Sequence, residues 1–302
     1  MAPYRLTAAD VAQFHEQGLV VVRGAYPPAR VAALRAVIAP LKAAAPEAMR
    51  LSHLLHPENF AAVFAEWLAE DAGPHVEALM GGVPIRHSLF NLLGSTGAPY
   101  VQHYHRDTHP NQSQRPENHD DWLRFRRAIH GRTVQMNAPL LPGDSYFCAV
   151  PASHDRLPTP AEVAAAIHSR SEPLAAEMPG AIAVALEPGD AVYYDFTLWH
   201  RGHNPSGAER LTIHNAYWAA DVPVLAHEQG QADALATTLA SHPALPQRVR
   251  GYLQRYIAAH PGEGAKAQSV AERFMGGAGW TVAPLEELIP PPPPPLHGGA
   301  RL

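Results

Sequence analysis

The stretch GDAVYYDFTLWHRGHNPSGAERLTIHNAYW, residues 189–218, decides the fold class of this chain. It contains an apolar strand that begins at the Pro-Gly-Asp turn 188–190 and ends at His200, followed by a return strand that begins at Arg210. The intervening turn, residues 204–207, consists of asparagine, proline, serine and glycine, which reverse a chain readily. Strands joined by such a turn lie side by side, so the sequence predicts that His200 and Arg210 are neighbours and face inward.

Seven short strand-like segments, separated by turn residues, occupy the region between residues 85 and 218. They are rich in β-branched and aromatic residues, which favour strands. Short strands at such spacing are typical of an antiparallel sandwich or barrel. The segments are HSLFNLL (87–93), PYVQHYH (99–105), TVQMNAPLL (133–141), SYFCAVP (145–151), IAVALEP (182–188), AVYYDFTLW (191–199) and RLTIHNAYW (210–218).

Helical patterns flank this β region. The N-terminal part reads as helices with one short strand between them, and residues 225–275 are again mostly helical. Insertions at about 110–132 and 160–176 interrupt the strands. A run of six prolines near the C-terminus is compatible only with polyproline II or disorder. We therefore predict one domain over residues 1–288, mainly β with flanking helices, and a disordered proline-rich tail over residues 289–302.

The composition of the 302-residue chain argues against several classes of protein. A net charge of −5 gives no global attraction to nucleic acid or to an anionic membrane. No apolar run approaches the about 20 residues that cross a bilayer, and the N-terminal residues lack the apolar core of a signal peptide. The single cysteine, Cys148, suits a reducing compartment. We expect a cytoplasmic protein that binds a small molecule, with no nucleic-acid or membrane partner.

A histidine-rich segment, YVQHYHRDTHP (residues 100–110), indicates a metal site. His105 and Asp107 follow an alternating strand pattern, so positions i and i+2 at the strand end project to the same side. With His200 they supply two imidazoles and one carboxylate, the set that holds iron(II) in non-haem oxygenases and leaves coordination positions open. Three further His-x-Asp or His-x-Glu pairs do not follow a strand; they begin at His56, His75 and His119.

Arg210 gives a reason to expect 2-oxoglutarate as a cosubstrate. This molecule chelates iron through its 2-oxo acid end, and its distal carboxylate needs a buried cation. Arginine suits that role because its planar guanidinium donates two hydrogen bonds to a carboxylate and stays charged. Arg210 follows His200 by ten residues, at the start of the return strand. Together these features predict an iron(II) and 2-oxoglutarate site.

At this point the chain resembles the phytanoyl-CoA dioxygenase family, iron(II)- and 2-oxoglutarate-dependent oxygenases with a double-stranded β-helix, or cupin-like jelly roll, at their core. The resemblance covers residues 5 to about 220 and rests on four segments in the family's order. These segments are LTAADVAQFHEQGLVVVRG (6–24), NLLGSTGAPYVQHYHRD (91–107), VPASH (150–154) and LWHRGHNPSGAER (198–210).

The resemblance implies specific roles and a reaction. His105, Asp107 and His200 would bind iron(II), and Arg210 would bind the distal carboxylate of 2-oxoglutarate. Asn91 matches a family position that often donates a hydrogen bond to the cosubstrate. The implied reaction consumes dioxygen and hydroxylates an unactivated C–H bond of a small molecule, with release of succinate and carbon dioxide. Because halogenating relatives lack the carboxylate ligand, the aspartate favours hydroxylation over halogenation.

Other positions near the site are less distinctive. Gln135 and Asn137 are polar residues on one face of an otherwise apolar strand, and they are expected to line the same pocket. Many relatives carry serine or threonine two residues after the distal histidine, where this chain has Gly202. In the VPASH segment Ala152 replaces the usual glycine, which a turn tolerates if φ stays negative.

Two alternatives remain open. The pattern His-x-His-x-Asp-x-His, residues 103–109, is one residue away from a dinuclear zinc hydrolase signature, but Thr108 separates the aspartate from the last histidine. One residue moves a ligand by about 3.5 Å, and the alternating β and α units of that fold are missing. A cupin-like metal-binding module without 2-oxoglutarate chemistry would keep the three ligands but leave Arg210 unexplained.

Additional histidines and arginines near the motif have no assigned chemistry. His103 has the same strand parity as the predicted ligand His105, and His214 has the same parity as Arg210. Both are therefore candidates to line the pocket, whereas His109 falls in the following loop. We expect neither His103 nor His109 to bind the metal. The insertion after the motif is either a lid or a solvated helix. Its basic residues are Arg115, Arg124, Arg126, Arg127 and Arg132.

Overall fold

The computed structural model describes residues 4–107, 130–222 and 230–260. The helices in these ranges are α1 (Ala8–Gln17), α2 (Pro28–Ala44), α3 (Ala62–Trp67), α4 (Gly73–Leu79), α5 (Pro160–Ser171), α6 (Ala232–Ser241) and α7 (Gln247–Ala259), with a π-helical turn, Leu68–Ala72, between α3 and α4. The strands are β1 (Leu19–Val22), β2 (Arg50–Leu51), β3 (Ile85–Leu93), β4 (Tyr100–Val101), β5 (Thr133–Pro139), β6 (Asp144–Ala149), β7 (Ile182–Leu186), β8 (Ala191–Tyr194), β9 (His200–Asn204) and β10 (Thr212–Ala219).

Several sequence-based predictions lie outside the described residues. They concern His109, His119, most of the arginine-bearing insertion and the proline-rich tail. Arg132, at the end of the insertion, is described and forms a salt bridge with Asp221. Within the described ranges, no helix has both the length and the apolar character that crossing a membrane requires.

The strands form two antiparallel sheets. The larger sheet has the order β1-β8-β5-β10-β3-β2 and the smaller one β4-β9-β6-β7. This arrangement is a double-stranded β-helix, which confirms the prediction of an antiparallel β core with flanking helices. In the described ranges the helices contain more residues than the strands, although the strands form the central layers.

The larger sheet separates two apolar regions. Its outer face, which includes Ile213, packs with helical residues such as Trp67 into the main core. Its inner face, which includes Tyr194, packs against Phe147 of the smaller sheet. Because side chains alternate along a strand, His214 projects opposite to Ile213, towards the space between the sheets. This alternation places polar residues of β10 in the interior of the β-helix.

The N-terminal helix and strand form as the sequence indicates. Thr7 caps α1 in a capping box with Asp10, and Gly18 ends the helix with a φ of 72°. The chain then enters β1, which pairs with β8 from Leu19 opposite Tyr194. β1 therefore forms one edge of the larger sheet.

His200 begins a strand instead of ending one, so the expected continuous strand up to this residue is wrong. The expectation that the return strand pairs beside it is also wrong, because β9 belongs to the smaller sheet and β10 to the larger one. Strand β8 ends at Tyr194, and the chain turns at Asp195. The Asp195 carboxylate accepts hydrogen bonds from the N–H and the hydroxyl of Thr197, at 2.7 and 2.6 Å. The N–H of Leu198 donates to the Asp195 carbonyl at 3.1 Å. Such local side-chain bonds compete with the sheet ladder and break the strand.

Ala152 also differs from its expectation. Its φ is +57°, in the left-handed region, and not negative. Its N–H donates to the Gln17 carbonyl at 2.7 Å, which ties the VPASH turn to the end of α1. This contact holds Ala152 in the left-handed conformation. A glycine would adopt it without strain, whereas an alanine does so at a cost of about 1–2 kcal/mol.

Candidate metal and cosubstrate site

Three predicted ligands lie together between the two sheets. One potential ligand atom from each of His105, Asp107 and His200 lies within 4.8 Å of the others. Nε2 of His105 is 3.5 Å from Oδ1 of Asp107, and Nε2 of His200 is 3.5 Å from its Oδ2. The carboxylate thus lies between two imidazole nitrogens, which is the arrangement a divalent metal requires.

Backbone hydrogen bonds hold these three residues in position. His105 and His200 form an isolated antiparallel bridge, with N–H to carbonyl distances of 3.0 Å in both directions. The N–H of Asp107 donates to the carbonyl of Phe196 at 2.9 Å. The site therefore lies where the start of β9 meets the segment that follows β4. Backbone hydrogen bonds between these two segments hold all three residues in place.

Each histidine also has a partner on its far nitrogen. Nδ1 of His105 lies 2.9 Å from the His103 carbonyl, and Nδ1 of His200 lies 2.9 Å from the Leu198 carbonyl. A carbonyl only accepts, so both Nδ1 atoms carry the proton and donate it. The Nε2 lone pairs are then free to face Asp107. Such backbone partners orient metal-binding histidines in many proteins.

The electrostatics favour a neutral imidazole at His105 and an ionised carboxylate at Asp107. Burial, reinforced by the nearby His200, lowers the pKa of His105 to about 4. Burial alone would raise the pKa of Asp107. The adjacent imidazole of His200, that of His105 and the hydrogen bond from the Gln135 amide nevertheless hold that pKa well below its usual range. Neutral histidine and ionised aspartate are the protonation states in which these side chains bind a metal.

Gln135 contacts the carboxylate directly. Its Nε2 donates to Oδ2 of Asp107 at 2.6 Å. Gln135 is predicted from the sequence to line the cosubstrate pocket, and the structure adds this contact with a predicted metal ligand. Hydrogen bonds of this kind orient a ligand and tune its affinity for the metal.

We expect Gln135→Ala to weaken iron(II) binding by about 10- to 100-fold, because the variant loses the donor that orients Asp107. Competition with a chelator under anaerobic conditions measures this dissociation constant. Gln135→Glu keeps the size of the side chain but cannot donate when ionised, so it should weaken iron binding at least as much. Unchanged iron affinity in both variants would contradict a role for this amide.

Arg210 lies buried at the other end of the pocket, as a partner of two residues that the sequence analysis missed. Its Nε is 3.3 Å from Oδ2 of Asp144 and 3.1 Å from the hydroxyl of Thr212. The Thr212 hydroxyl also donates to the same carboxylate oxygen. The two terminal guanidinium nitrogens form no hydrogen bond with the described residues, so they remain available for a carboxylate.

Asn91, Asn137 and His214 occupy one row across the larger sheet. His214 pairs in register with Asn91 on one side and with Asn137 on the other. Nδ1 of His214 is 2.9 Å from Oδ1 of Asn137. Burial, followed by the charge of Arg50, lowers the pKa of His214 to about 3, so its ring is neutral. This row lies between the metal ligands and Arg210, where a chelating cosubstrate would extend.

Two buried polar atoms test whether 2-oxoglutarate fits this space. Nδ2 of Asn91 and Oε1 of Gln135 form no hydrogen bond with the described residues. An unpaired buried polar group costs about 1–3 kcal/mol, so both atoms favour a polar occupant. A cosubstrate carboxylate would accept from Asn91, and the guanidinium of Arg210 matches the distal carboxylate. The described residues fit the cosubstrate.

His103 lies beside the cluster but adds no ligand atom to it. Its ring centroid is 5.5 Å from that of His105, and the convergent set in the described residues consists of His105, Asp107 and His200. This geometry does not favour the zinc hydrolase alternative, which needs a histidine from the same segment to join the set. Nothing in the sequence indicated that Asp144 and Thr212 bond to Arg210, because Asp144 looks like a turn residue and Thr212 like an ordinary strand residue.

Solved structures of several enzymes share this fold. HygX from Streptomyces hygroscopicus, with nickel and 2-oxoglutarate bound, is 17% identical with a TM-score of 0.52, over 71% of this chain and 88% of that one. EctD from S. alaskensis, with bound iron, is 16% identical with a TM-score of 0.53, over 72% and 79%. SnoK, an alpha-ketoglutarate-dependent carbocyclase from nogalamycin biosynthesis, is 17% identical with a TM-score of 0.52, over 73% and 88%. At these identities the likeness shows the fold alone.

The sequence comparison identifies the family. No protein with a curated functional description matches the chain in sequence. The profile of the phytanoyl-CoA dioxygenase family matches residues 14–211, more than half of the chain. The matched region contains His105, Asp107, His200 and Arg210. The resemblance is confirmed: this chain belongs to the phytanoyl-CoA dioxygenase family.

Proposed function

We propose that this protein is an iron(II)- and 2-oxoglutarate-dependent oxygenase in which His105, Asp107 and His200 hold the iron. The observation that carries the proposal is the convergence of two imidazole nitrogens and one carboxylate in a member of this family. Its cofactors are iron(II), 2-oxoglutarate and dioxygen. The metal and the 2-oxoglutarate named with HygX, which has the same fold, support this choice.

Iron(II), 2-oxoglutarate and dioxygen together supply the oxidising power to attack an unactivated C–H bond, with release of succinate and carbon dioxide. The protein's own groups bind and orient the reactants. His105, Asp107 and His200 would hold the iron and leave it able to take up the cosubstrate and dioxygen. The terminal nitrogens of Arg210 donate to the distal carboxylate of the cosubstrate, and Nδ2 of Asn91 is a further donor in the same pocket.

Aromatic side chains shield one side of the metal ligands from water. The ring centroids of Tyr194 and Phe147 lie 5.2 and 5.8 Å from that of His200. Burial, followed by the charge of Asp107, raises the pKa of the Tyr194 phenol well above its usual value, so the phenol stays neutral. An apolar wall strengthens the electrostatic contacts of the bound reactants and limits side reactions.

For the reaction we propose hydroxylation of a small molecule. Asp107 fills the ligand position that a small residue would leave open for a halide, so the chain is equipped for oxygenation and not for halogenation. The carbocyclase named for SnoK shows that this fold also hosts other oxidations. The mass of the product separates these outcomes, because hydroxylation adds one oxygen atom and cyclisation or desaturation removes hydrogen.

The proposal is tested by supplying the protein with iron(II), 2-oxoglutarate and air, and by measuring succinate across a library of acyl thioesters, amino acids and secondary metabolites. We expect iron-dependent succinate release that rises with one class of compound and a product heavier by one oxygen atom. Consumption of 2-oxoglutarate at the same rate with and without iron would contradict the proposal. Binding of iron without binding of 2-oxoglutarate would instead support a metal-binding module.

A further inference from the structure

Gly202 lies two residues after His200 on β9 and occupies a crowded position. The two residues share a strand face, because side-chain directions alternate. A Cβ atom at residue 202 would lie 2.8 Å from Oε1 of Gln102 and 3.2 Å from Cε1 of Tyr100. Side chains of the neighbouring segment thus fill the space that a larger residue at position 202 would occupy.

Gln102 is fixed to Gly202 by two hydrogen bonds. Its backbone N–H donates to the carbonyl of Gly202 at 2.9 Å, and its Oε1 accepts from the N–H of Gly202 at 2.9 Å. Tyr100, two residues earlier, pairs with Asn204 in the same ladder, so its side chain projects to the same face as that of Gln102. The glycine, the amide and the phenol therefore form one layer next to the metal ligands.

Tyr100 lies towards the Arg210 end of the pocket, because it pairs with Asn204 at the end of β9, just before the turn that leads to Arg210. Burial raises the pKa of this phenol, while the charges of Arg50 and Arg210 and a hydrogen bond from the Gln102 amide lower it. An amide that donates to the phenol oxygen leaves the O–H free to donate elsewhere. The phenol is thus a neutral donor on the strand face that leads from the metal ligands towards Arg210.

The charge balance at Arg210 leaves room for such a donor. Nε of Arg210 is engaged by Asp144 and Thr212, and the Asp144 carboxylate offsets part of the positive charge. A cosubstrate carboxylate offers about four lone-pair sites, whereas the planar guanidinium directs only two parallel N–H groups at it. Neutral O–H donors add hydrogen bonds there without adding charge.

We propose that Tyr100 is a binding residue for the distal carboxylate of 2-oxoglutarate, with Gln102 and Gly202 positioning its phenol. The inference rests on the proposed function, since it assigns a further contact to the same cosubstrate. It explains why position 202 is glycine in this chain: a side chain there would displace the amide and the ring. The hydroxyl that many relatives carry on β9 is supplied here from the segment of β4.

The test compares two 2-oxo acids on the anaerobic iron(II) protein. 2-Oxoglutarate has the distal carboxylate, and 2-oxovalerate chelates iron in the same way but lacks it. We expect Tyr100→Phe to raise the dissociation constant of 2-oxoglutarate by about 10-fold or more, the effect of one lost hydrogen bond to a charged group. The dissociation constant of 2-oxovalerate should stay unchanged, as should iron affinity. The visible band of the chelated iron reports both titrations.

Two further variants sharpen the comparison. Tyr104→Phe is the matched control, because the Tyr104 ring packs in a separate apolar cluster, under the guanidinium of Arg201. It should leave both dissociation constants unchanged. Gly202→Ala tests the positioning: the new Cβ collides with the flexible end of Gln102, so the fold persists while the phenol moves. Gly202→Ala should weaken the binding of 2-oxoglutarate and leave the binding of 2-oxovalerate unchanged.

The outcomes distinguish the inference from the proposed function. Suppose that the unaltered protein binds 2-oxoglutarate, and that Tyr100→Phe weakens the binding of neither acid or of both acids equally. The assignment of Tyr100 is then overturned, while the oxygenase proposal stands. If the unaltered protein binds neither acid, the proposed function fails and the inference fails with it. Selective loss of 2-oxoglutarate affinity in Tyr100→Phe and Gly202→Ala supports the assignment.

Discussion

Succinate formation is expected to disappear when Asp107 is replaced by alanine, and equally when His105 is replaced. The Asp107 carboxylate lies 3.5 Å from the Nε2 atoms of His105 and His200. Its removal takes away the negative charge of the ligand set, and removal of His105 takes away one of two imidazoles. Succinate release and iron bound per chain are measured together, so that loss of metal and loss of turnover are compared directly.

Two histidine variants serve as controls for this prediction. His103→Ala should retain the iron content of the unaltered protein, because its imidazole contributes no atom to the convergent set. His119 belongs to a second His-x-Asp pair in the sequence, and His119→Ala should retain succinate formation. Activity lost in His119→Ala but kept in His105→Ala would show that the ligand assignment is wrong.

The second large effect is expected at Arg210. Arg210→Met removes the terminal nitrogens proposed to bind the distal carboxylate, each of which supports a hydrogen bond between charged groups. We expect the KM for 2-oxoglutarate to rise by at least about 100-fold. Turnover supported by 2-oxovalerate should change little, because that acid has no distal carboxylate. Steady-state kinetics with both acids measure the difference.

Stability must be separated from binding in this experiment. Arg210→Met alone leaves the carboxylate of Asp144 buried without its cation, which commonly costs about 3–5 kcal/mol of folding free energy. The double variant Asp144→Asn/Arg210→Met removes both charges, and its unfolding in denaturant shows whether the fold persists. A folded double variant with an unchanged KM for 2-oxoglutarate would contradict the role of Arg210.

Local sequence signals were sufficient for the fold class and for the selection of His105, Asp107 and His200, which the fold brings together. Strand alternation and turn residues predicted the antiparallel strands, and the strand pattern before His105 separated it from the histidines of the other His-x-Asp pairs. The predicted strand up to His105 is too long, because β4 ends at Val101 and His105 pairs with His200 as an isolated bridge. Residues 204–207 form the predicted turn, but β9 and β10 on either side of it lie in different sheets, so the expectation that they pair side by side is wrong. These signals act over a few residues, which a single sequence displays.

Contacts between distant residues could not be predicted in the same way. Asp144 reaches Arg210 across 66 residues, and Gln102 meets Gly202 across 100. Nothing in the local pattern indicates which polar side chain will meet which, because register and sheet order decide it. The left-handed conformation of Ala152 has the same origin, since its hydrogen bond to Gln17 is a contact between separate elements.

The central claim is that the pocket holds iron(II) and 2-oxoglutarate together, and an anaerobic titration tests it most directly. When 2-oxoglutarate is added to the iron(II) protein without dioxygen, we expect a weak visible charge-transfer band that saturates at one cosubstrate per iron. Asp107→Ala should show no such band. Stoichiometric iron binding with no band at any 2-oxoglutarate concentration would contradict the account.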